Sequence, residues 1–74
     1  MILDGKITSG PFFMPYPSSI DFELKAGSGT HQVVSVDADI VNNRDSLKGR
    51  VRVYGKLTGK DGDSVILAQR VEFL

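Results

Sequence analysis

The residues of this chain best suited to chemistry are three cations and one tyrosine that alternate with apolar residues. One parity holds Arg50, Arg52, Tyr54 and Lys56, and the other holds Val51, Val53, Gly55 and Leu57. This alternation is typical of a β-strand, because successive side chains of a strand point to opposite faces. The polar face can follow a phosphate backbone while Tyr54 stacks on a base. The alternative is that the outer face of a barrel has to be polar, and Arg beside Tyr packs well there.

A second candidate surface is the apolar stretch at residues 9–19, for which three prolines predict a loop. It contains Phe12, Phe13 and Tyr16, which are three of the six aromatic residues in the chain. Together with Met14 they form more apolar surface than a monomer normally exposes. We expect this loop to contact bases or a protein partner, unless Phe12 or Phe13 closes the open end of a barrel.

The remaining polar residues do not indicate catalysis or metal binding. Four carboxylates in the first half of the chain lack the spacing of a calcium loop, so we interpret them as a solvated acidic face. These are Asp21, Glu23, Asp37 and Asp39. His31 stands alone, and no nucleophile has a neighbouring base. We therefore predict no enzyme activity, no catalytic residue, no metal and no cofactor.

Length and composition favour one small domain spanning residues 1–74. The sequence has no cysteine, no secretion signal and no apolar run near the ~18 residues that cross a bilayer, so we expect a cytoplasmic protein without a membrane partner. The net charge is zero but divided, with −3 on residues 1–40 and +3 on residues 41–74. Because nucleic-acid binders usually carry a positive excess, any such binding should be weak and strongly salt-dependent.

Five strand-like segments predict an all-β fold. They lie at residues 2–8, 20–25 and 31–41 and in the two arms of a hairpin at 49–74. Residues 42–48 are long enough for one or two helical turns, with Asn42 or Asn43 as the N-cap. This order predicts a small five-stranded OB-fold barrel with at most a very short helix between strands three and four. An SH3-like barrel has the same number of strands and is the alternative.

The turn before the last strand decides which side chains of that strand face inward. A two-residue turn would pair Leu57 with Ile66 and put Arg70 on the apolar face. A shift of one residue reverses every side chain, so we predict an odd loop, Lys60-Asp61-Gly62, with Gly62 as a bulge. This register turns inward Val65, Leu67, Val71 and Phe73. It turns outward Ala68, Arg70 and Glu72.

Residues 46–57, SLKGRVRVYGKL, resemble the LKxGxxVxVxGxL stretch of bacterial and phage single-stranded-DNA-binding proteins and the related primosomal OB proteins. Residues 68–74, AQRVEFL, are similar to the terminal strand of that family, and residues 5–8 and 19–22 are similar to its opening. The resemblance implies a non-enzymatic OB barrel that binds single-stranded DNA in replication or repair. The chain departs from the family in its shortened helix, its lack of tryptophan and the acidic face of strands two and three.

These patterns together predict a minimal OB-fold protein that binds single-stranded DNA, or RNA. The residues expected at the nucleic-acid surface are Arg50, Arg52, Tyr54, Lys56, Lys60, Arg70, Phe12, Phe13 and Tyr16. A homo-oligomer would lengthen the basic track, and a replication or repair protein is a further expected partner. The alternative is a protein-interaction module that docks onto a partner, or onto its own copy, through residues 12–16. A third interpretation is an accessory domain that only stabilises a larger complex.

Overall fold

Five strands close into a barrel in the computed structural model, which describes residues 1–59 and 65–74. The elements are β1 (Ile2–Pro15), β2 (Ser18–Ala26), β3 (Gly29–Ser35), α1 (Ala38–Asn42), a 3-10 turn (Arg44–Ser46), β4 (Arg50–Thr58) and β5 (Val65–Phe73). The strands are ordered β1-β2-β3-β5-β4, and β4 pairs back with β1. Only β3 and β5 are parallel among the described strand pairs. This arrangement confirms the predicted five-stranded OB-fold barrel with one very short helix between β3 and β4.

The core is built from the apolar parity of the strands. On β2 the side chains of Ile20, Phe22 and Leu24 are buried, and on β4 those of Val51 and Val53 are buried. Each of these strands therefore presents its other parity to solvent, as period-two alternation predicts. β5 adds Ile66 and Ala68, and Val41 and Leu47 from the segment between β3 and β4 complete the same cluster.

The proline-rich stretch is not a loop, as the sequence predicted, but the paired end of a long hairpin. Phe13 pairs with Ile20, and Pro15 pairs with Ser18 at the tip. Gly10 and Pro11 together lie opposite one residue of β2, so the missing N–H of Pro11 falls in a bulge. Gly10 has φ +94°, and a β-carbon there would lie 2.8 Å from the Asp21 carbonyl oxygen. The prediction failed because bulges and strand ends tolerate proline, whereas regular ladder positions do not.

The third strand ends earlier than predicted, and the helix begins earlier. β3 stops at Ser35, and the side chain of Asp37 caps α1 by accepting hydrogen bonds from the backbone N–H groups of Asp39 and Ile40, at 3.0 and 3.1 Å. The strand predicted through residue 41 is therefore wrong. Of the helical turns predicted in residues 42–48, the structure has the 3-10 turn Arg44–Ser46, with Asn43 at its N-cap position but without a capping hydrogen bond from the Asn43 side chain. An aspartate that satisfies two free N–H groups outweighs a short alternating pattern. Within the described residues, no helix has the length and apolar character needed to cross a bilayer.

The set of β5 residues that faces inward changes parity at a bulge within β5. Leu57 pairs with Ile66, whereas Val53 pairs with Val71, and Gln69 is the extra residue between these two registers. Ile66 and Ala68 consequently face inward before the bulge, and Val71 packs against the core after it. The predicted inward positions of Val65 and Leu67 and the predicted outward position of Ala68 are wrong.

The inward position of Val71 and the outward position of Arg70 are as predicted. Phe73 is 56% exposed because it lies at the end of the strand. The predicted Lys60-Asp61-Gly62 loop lies outside the described residues, but the register predicted from an odd loop is wrong, because Leu57 pairs with Ile66 as in the rejected two-residue turn.

Candidate nucleic-acid interface

The polar parity of β4 forms the centre of a three-stranded outer face. Strand pairing places Arg52 between Asp4 of β1 and Glu72 of β5, and places Tyr54 between Ile2 and Arg70. Cross-strand partners point to the same face, so these side chains are lateral neighbours. The cations that share this face are Lys6, Arg50, Arg52, Lys56 and Arg70. Against the two carboxylates, Asp4 and Glu72, they leave a net charge of +3.

The central cation of this face is held in a two-point ion pair. Arg52 Nε donates to Asp4 Oδ1 at 2.7 Å, and Arg52 Nη2 donates to Asp4 Oδ2 at 2.9 Å. The hydrogen bond from Arg52 lowers the pKa of Asp4, and nearby Arg50 lowers that pKa further. The same contact with Asp4 raises the pKa of Arg52. Arg52 therefore has a fixed guanidinium whose charge is largely offset by Asp4, so the Arg52 side chain contributes position more than net charge.

The tyrosine of this face is already in contact with a cation. The guanidinium carbon of Arg70 lies 5.3 Å from the centroid of the Tyr54 ring, and a nitrogen of Arg70 lies 3.5 Å from a Glu72 carboxylate oxygen. A guanidinium at this distance interacts favourably with the aromatic ring. A base that stacks on Tyr54 must therefore use the other face of the ring or displace Arg70, whose side chain is mostly exposed.

Three of the four aromatic residues predicted to bind lie on the β1–β2 hairpin, and none of the three is buried. Phe12 and Met14 are each 57% exposed, and Tyr16 is 92% exposed. Phe13 is 41% exposed, and the Arg44 guanidinium carbon lies 4.1 Å from the centroid of its ring. The expectation that Phe12 or Phe13 closes the end of the barrel is wrong. The hairpin instead presents a set of large apolar side chains in a stretch, residues 10–19, that has no charged residue.

Of the two remaining predicted residues, Lys56 belongs to the described part of the chain and Lys60 does not. Lys56 is exposed on β4 opposite Leu67, on the same side of the strand as Tyr54. Lys60 lies outside the described residues. The strand pairing thus brings Arg50, Arg52, Tyr54, Lys56 and Arg70 onto one face, and Phe12, Phe13 and Tyr16 occupy a separate hairpin.

The acidic face expected on strands two and three is smaller than the sequence indicated. Asp21 and Glu23 do alternate with the buried residues of β2, but Asp37 caps the helix and Asp39 lies in its first turn. In residues 1–59 and 65–74, no three His, Asp or Glu side chains come together in a way that could hold a metal ion. On the surface of β2 and β3, phosphate would therefore be repelled by two carboxylates, Asp21 and Glu23, which both lie on β2.

Sequence reasoning missed three cations that the fold brings to these surfaces. Lys6 and Lys25 lie directly opposite each other on β1 and β2, and Lys6 also lies opposite Arg50. Arg44 packs on Phe13 and donates from Nη1 to the Val41 carbonyl at 2.9 Å. The outward parity of Lys6 and Lys25 is visible in the sequence, but their adjacency depends on the strand register. No pattern in the sequence around Arg44 predicts its contact with Phe13.

A groove of about 440 Å³ lies beside the basic face, between α1 and the end of β5. Its lining includes Asp39, Ile40, Leu47, Arg70 and Phe73. Arg70 belongs to both the groove and the face around Tyr54, so the two surfaces are continuous. The lining of the groove combines one cation, two carboxylates at the start of α1 and apolar side chains.

The candidate interface is defined only by the fold and by the arrangement of these residues on it. Comparison with family models, with curated proteins and with solved structures finds no match for this chain.

Proposed function

We propose that this protein binds single-stranded nucleic acid, with DNA as the first candidate, on the outer face of β1, β4 and β5. The observation that carries this proposal is the net charge of +3 on that face, which surrounds Tyr54 in a chain whose total charge is zero. Cations that follow a backbone, together with an aromatic ring on which bases stack, are the usual means of binding single strands without catalysis. The sequence resemblance to single-stranded-DNA-binding OB proteins supports the same function.

The aromatic hairpin adds a second contact in this proposal. Phe12 and Tyr16 offer exposed rings to bases that extend beyond the basic face. Stacking of one base on an aromatic side chain contributes about 1–3 kcal/mol and tolerates any base. Binding should therefore depend on both salt and aromatic content, with little preference for sequence.

Charge reversal on β4 tests the proposal directly. Fluorescence anisotropy with labelled oligo(dT) and a matched duplex, at 50 mM and 200 mM salt, should show binding of the single strand that weakens as salt rises. The double variant Arg50→Glu and Lys56→Glu should lose most of that binding, at least about tenfold, because both substituted positions are exposed on the outer face.

The matched control is Lys48→Glu, which changes the charge of an exposed residue that precedes β4 and has no strand partner. It should reduce affinity much less than the double variant does. If wild-type protein at micromolar concentration fails to bind oligo(dT) at 50 mM salt, the proposed function is wrong. Lys48→Glu changes the net charge by −2 and the double variant by −4, so a loss of binding free energy in Lys48→Glu of half that in the double variant would show that binding follows total charge and not this face.

A protein-interaction module is the second candidate, favoured by the uncharged hairpin tip. Phe12, Phe13, Met14 and Tyr16 are all exposed there, with Phe12 and Met14 on one face of the hairpin and Phe13 on the other, which is much apolar surface for a monomer. If the hairpin mediates self-association, sedimentation velocity should show a dimer or larger species that dissociates in Phe12→Ser or Met14→Ser. A wild-type monomer at all concentrations would exclude self-association through the tip.

A further inference from the structure

Three cations form a row that crosses the barrel at right angles to its strands. Lys6 of β1 is paired with Lys25 of β2 on one side and with Arg50 of β4 on the other. Neighbouring strands lie about 4.8 Å apart, so this row extends over about 10 Å. Thr30 of β3 lies opposite Lys25 and continues the row with a hydroxyl group.

The arrangement is unfavourable for the protein by itself. Like charges directly opposite each other on paired strands destabilise a sheet. In the described part of the chain, the ion pairs are those of Arg52 with Asp4 and of Arg70 with Glu72, so no described carboxylate pairs with the three cations of the row. The nearest outward carboxylates along the same strands are Asp4, which already binds Arg52, and Glu23, which is exposed.

The row also meets the proposed binding face. Arg50 is its last member and at the same time the first cation of the outward parity of β4. The cations therefore continue along β4 and then turn across β1 and β2. A line of separate charges with one bend matches a flexible linear polyanion better than it matches a single small anion.

We propose that Lys25, Lys6 and Arg50 form a phosphate-binding row that holds the backbone of single-stranded nucleic acid as it passes from β4 across β1 and β2. This inference rests on the proposed function and specifies the path of the strand. It adds Lys25 to the cations of the proposed face, which already include Lys6 and Arg50, and it puts part of the contact on β2 beyond the carboxylates Asp21 and Glu23. Bound phosphates would also relieve the repulsion among the three cations.

The test is the salt dependence of oligo(dT) binding in the double variant Lys6→Gln and Lys25→Gln. Each lost phosphate contact reduces the slope of log K against log salt by about 0.7 for a single strand, so the slope should become shallower by about 1.4. Lys48→Gln is the matched control and should leave the slope unchanged. The conservative double variant Lys6→Arg and Lys25→Arg keeps both charges and should retain the wild-type slope.

A second readout in the absence of nucleic acid separates binding from folding. Because the substitutions remove like-charge repulsion, the Tm of the free Lys6→Gln and Lys25→Gln protein should be equal to or above that of wild type. If the slope of log K against log salt in the glutamine variant equals that of wild type, the row is overturned. The row is also overturned if the glutamine variant is less stable than wild type, the arginine variant restores that stability, and the slope is the same in all three proteins. If Arg50→Glu with Lys56→Glu abolishes binding while the lysine variant binds normally, the proposed function stands without the row. If wild-type protein binds no oligo(dT), both proposals fail.

Discussion

At the scale of single residues, the Asp4–Arg52 pair shows how this face keeps a cation in place. The pair joins β1 to β4 through two hydrogen bonds and leaves both side chains about two-fifths exposed. Exposed pairs of this kind contribute little to stability because water screens them. Their larger effect is on geometry, since the guanidinium of Arg52 is held against Asp4 of the neighbouring strand β1.

This pair makes a small part of the stability depend on pH. The pKa of Asp4 is lowered in the folded protein, so its contribution is present at neutral pH and is lost as the pH falls below about 4 and through the folded pKa. Asp4→Asn should lower the Tm slightly at pH 7, and the difference from wild type should shrink toward pH 3. Thermal unfolding of both proteins across this range checks the prediction. A difference in Tm that stays constant from pH 7 to pH 3 would contradict it.

Ser35 is a buried polar residue that links the end of β3 to β5. It is fully buried, and its Oγ donates to the Ala68 carbonyl at 2.8 Å and accepts from the Asp37 N–H at 3.2 Å. The Ala68 carbonyl immediately precedes the bulge at Gln69, where the β4–β5 register shifts.

Ser35→Ala should therefore reduce the free energy of unfolding by about 1–3 kcal/mol, since a buried carbonyl loses its partner. Ser18→Ala removes an exposed hydroxyl that makes only a 3.4 Å contact with the Pro15 carbonyl, and it should change stability by less than about 0.5 kcal/mol. Urea unfolding of the two variants measures both values. Equal effects would show that the Ser35 hydrogen bonds do not contribute measurably to stability.

At the scale of elements, the bulge in β5 solves a conflict in the sequence. Ile66 and Ala68 share one parity, and Val71 has the other, yet all three contribute to the core. One extra residue at Gln69 makes this possible and keeps Arg70 outward, where it contacts Tyr54. Gly55, opposite Ala68, permits the close approach of the two strands, because a β-carbon there would collide with the Leu67 carbonyl.

Deletion of Gln69 should leave a protein that still folds. Without the extra residue, Ala68 and Arg70 become successive residues, so regular alternation keeps Ala68 inward, Arg70 outward and Val71 inward, and the pairs Gly55–Ala68 and Tyr54–Arg70 are retained. Gln69→Ala keeps the bulge and changes only an exposed side chain, so it should unfold within about 0.5 kcal/mol of wild type. Circular dichroism and urea unfolding measure both variants. A deletion variant that shows no cooperative unfolding would contradict the view that the bulge serves only to join the two parities of β5.

The regular alternation in β2 and β4 made most of the barrel predictable from sequence. Over six or more residues, a strict period of two indicates a β-strand with one buried face. Residues 36–41 were not predictable in the same way. The apolar spacing from Val36 to Ile40 fits one helical turn as well as a strand, and the Asp37 cap decides between them. The outward row of β4 was predictable, whereas the adjacency of Lys6 and Lys25 was not, because it depends on register and on a bulge between Ile7 and Ser9.

At the scale of the whole molecule, the important property is the distribution of charge and not its sum. The face of β1, β4 and β5 carries +3, while carboxylates lie on β2 and at the start of α1. A neutral chain with this division can attract a polyanion to one side and repel it from another. Because such attraction acts over about 10 Å at 0.1 M salt, affinity should fall steeply as salt increases.

The most direct test of the proposed function is an NMR titration of ¹⁵N-labelled protein with oligo(dT) at 50 mM salt. The amide signals of β4, of Lys6 and Lys25, of Arg70 and of the aromatic hairpin should shift together, and those of Asp37 and Asp39 should not. The same titration at 200 mM salt should require much more nucleic acid to reach the same shifts. Shifts confined to β3 and α1, or no shifts at all, would contradict binding on this face.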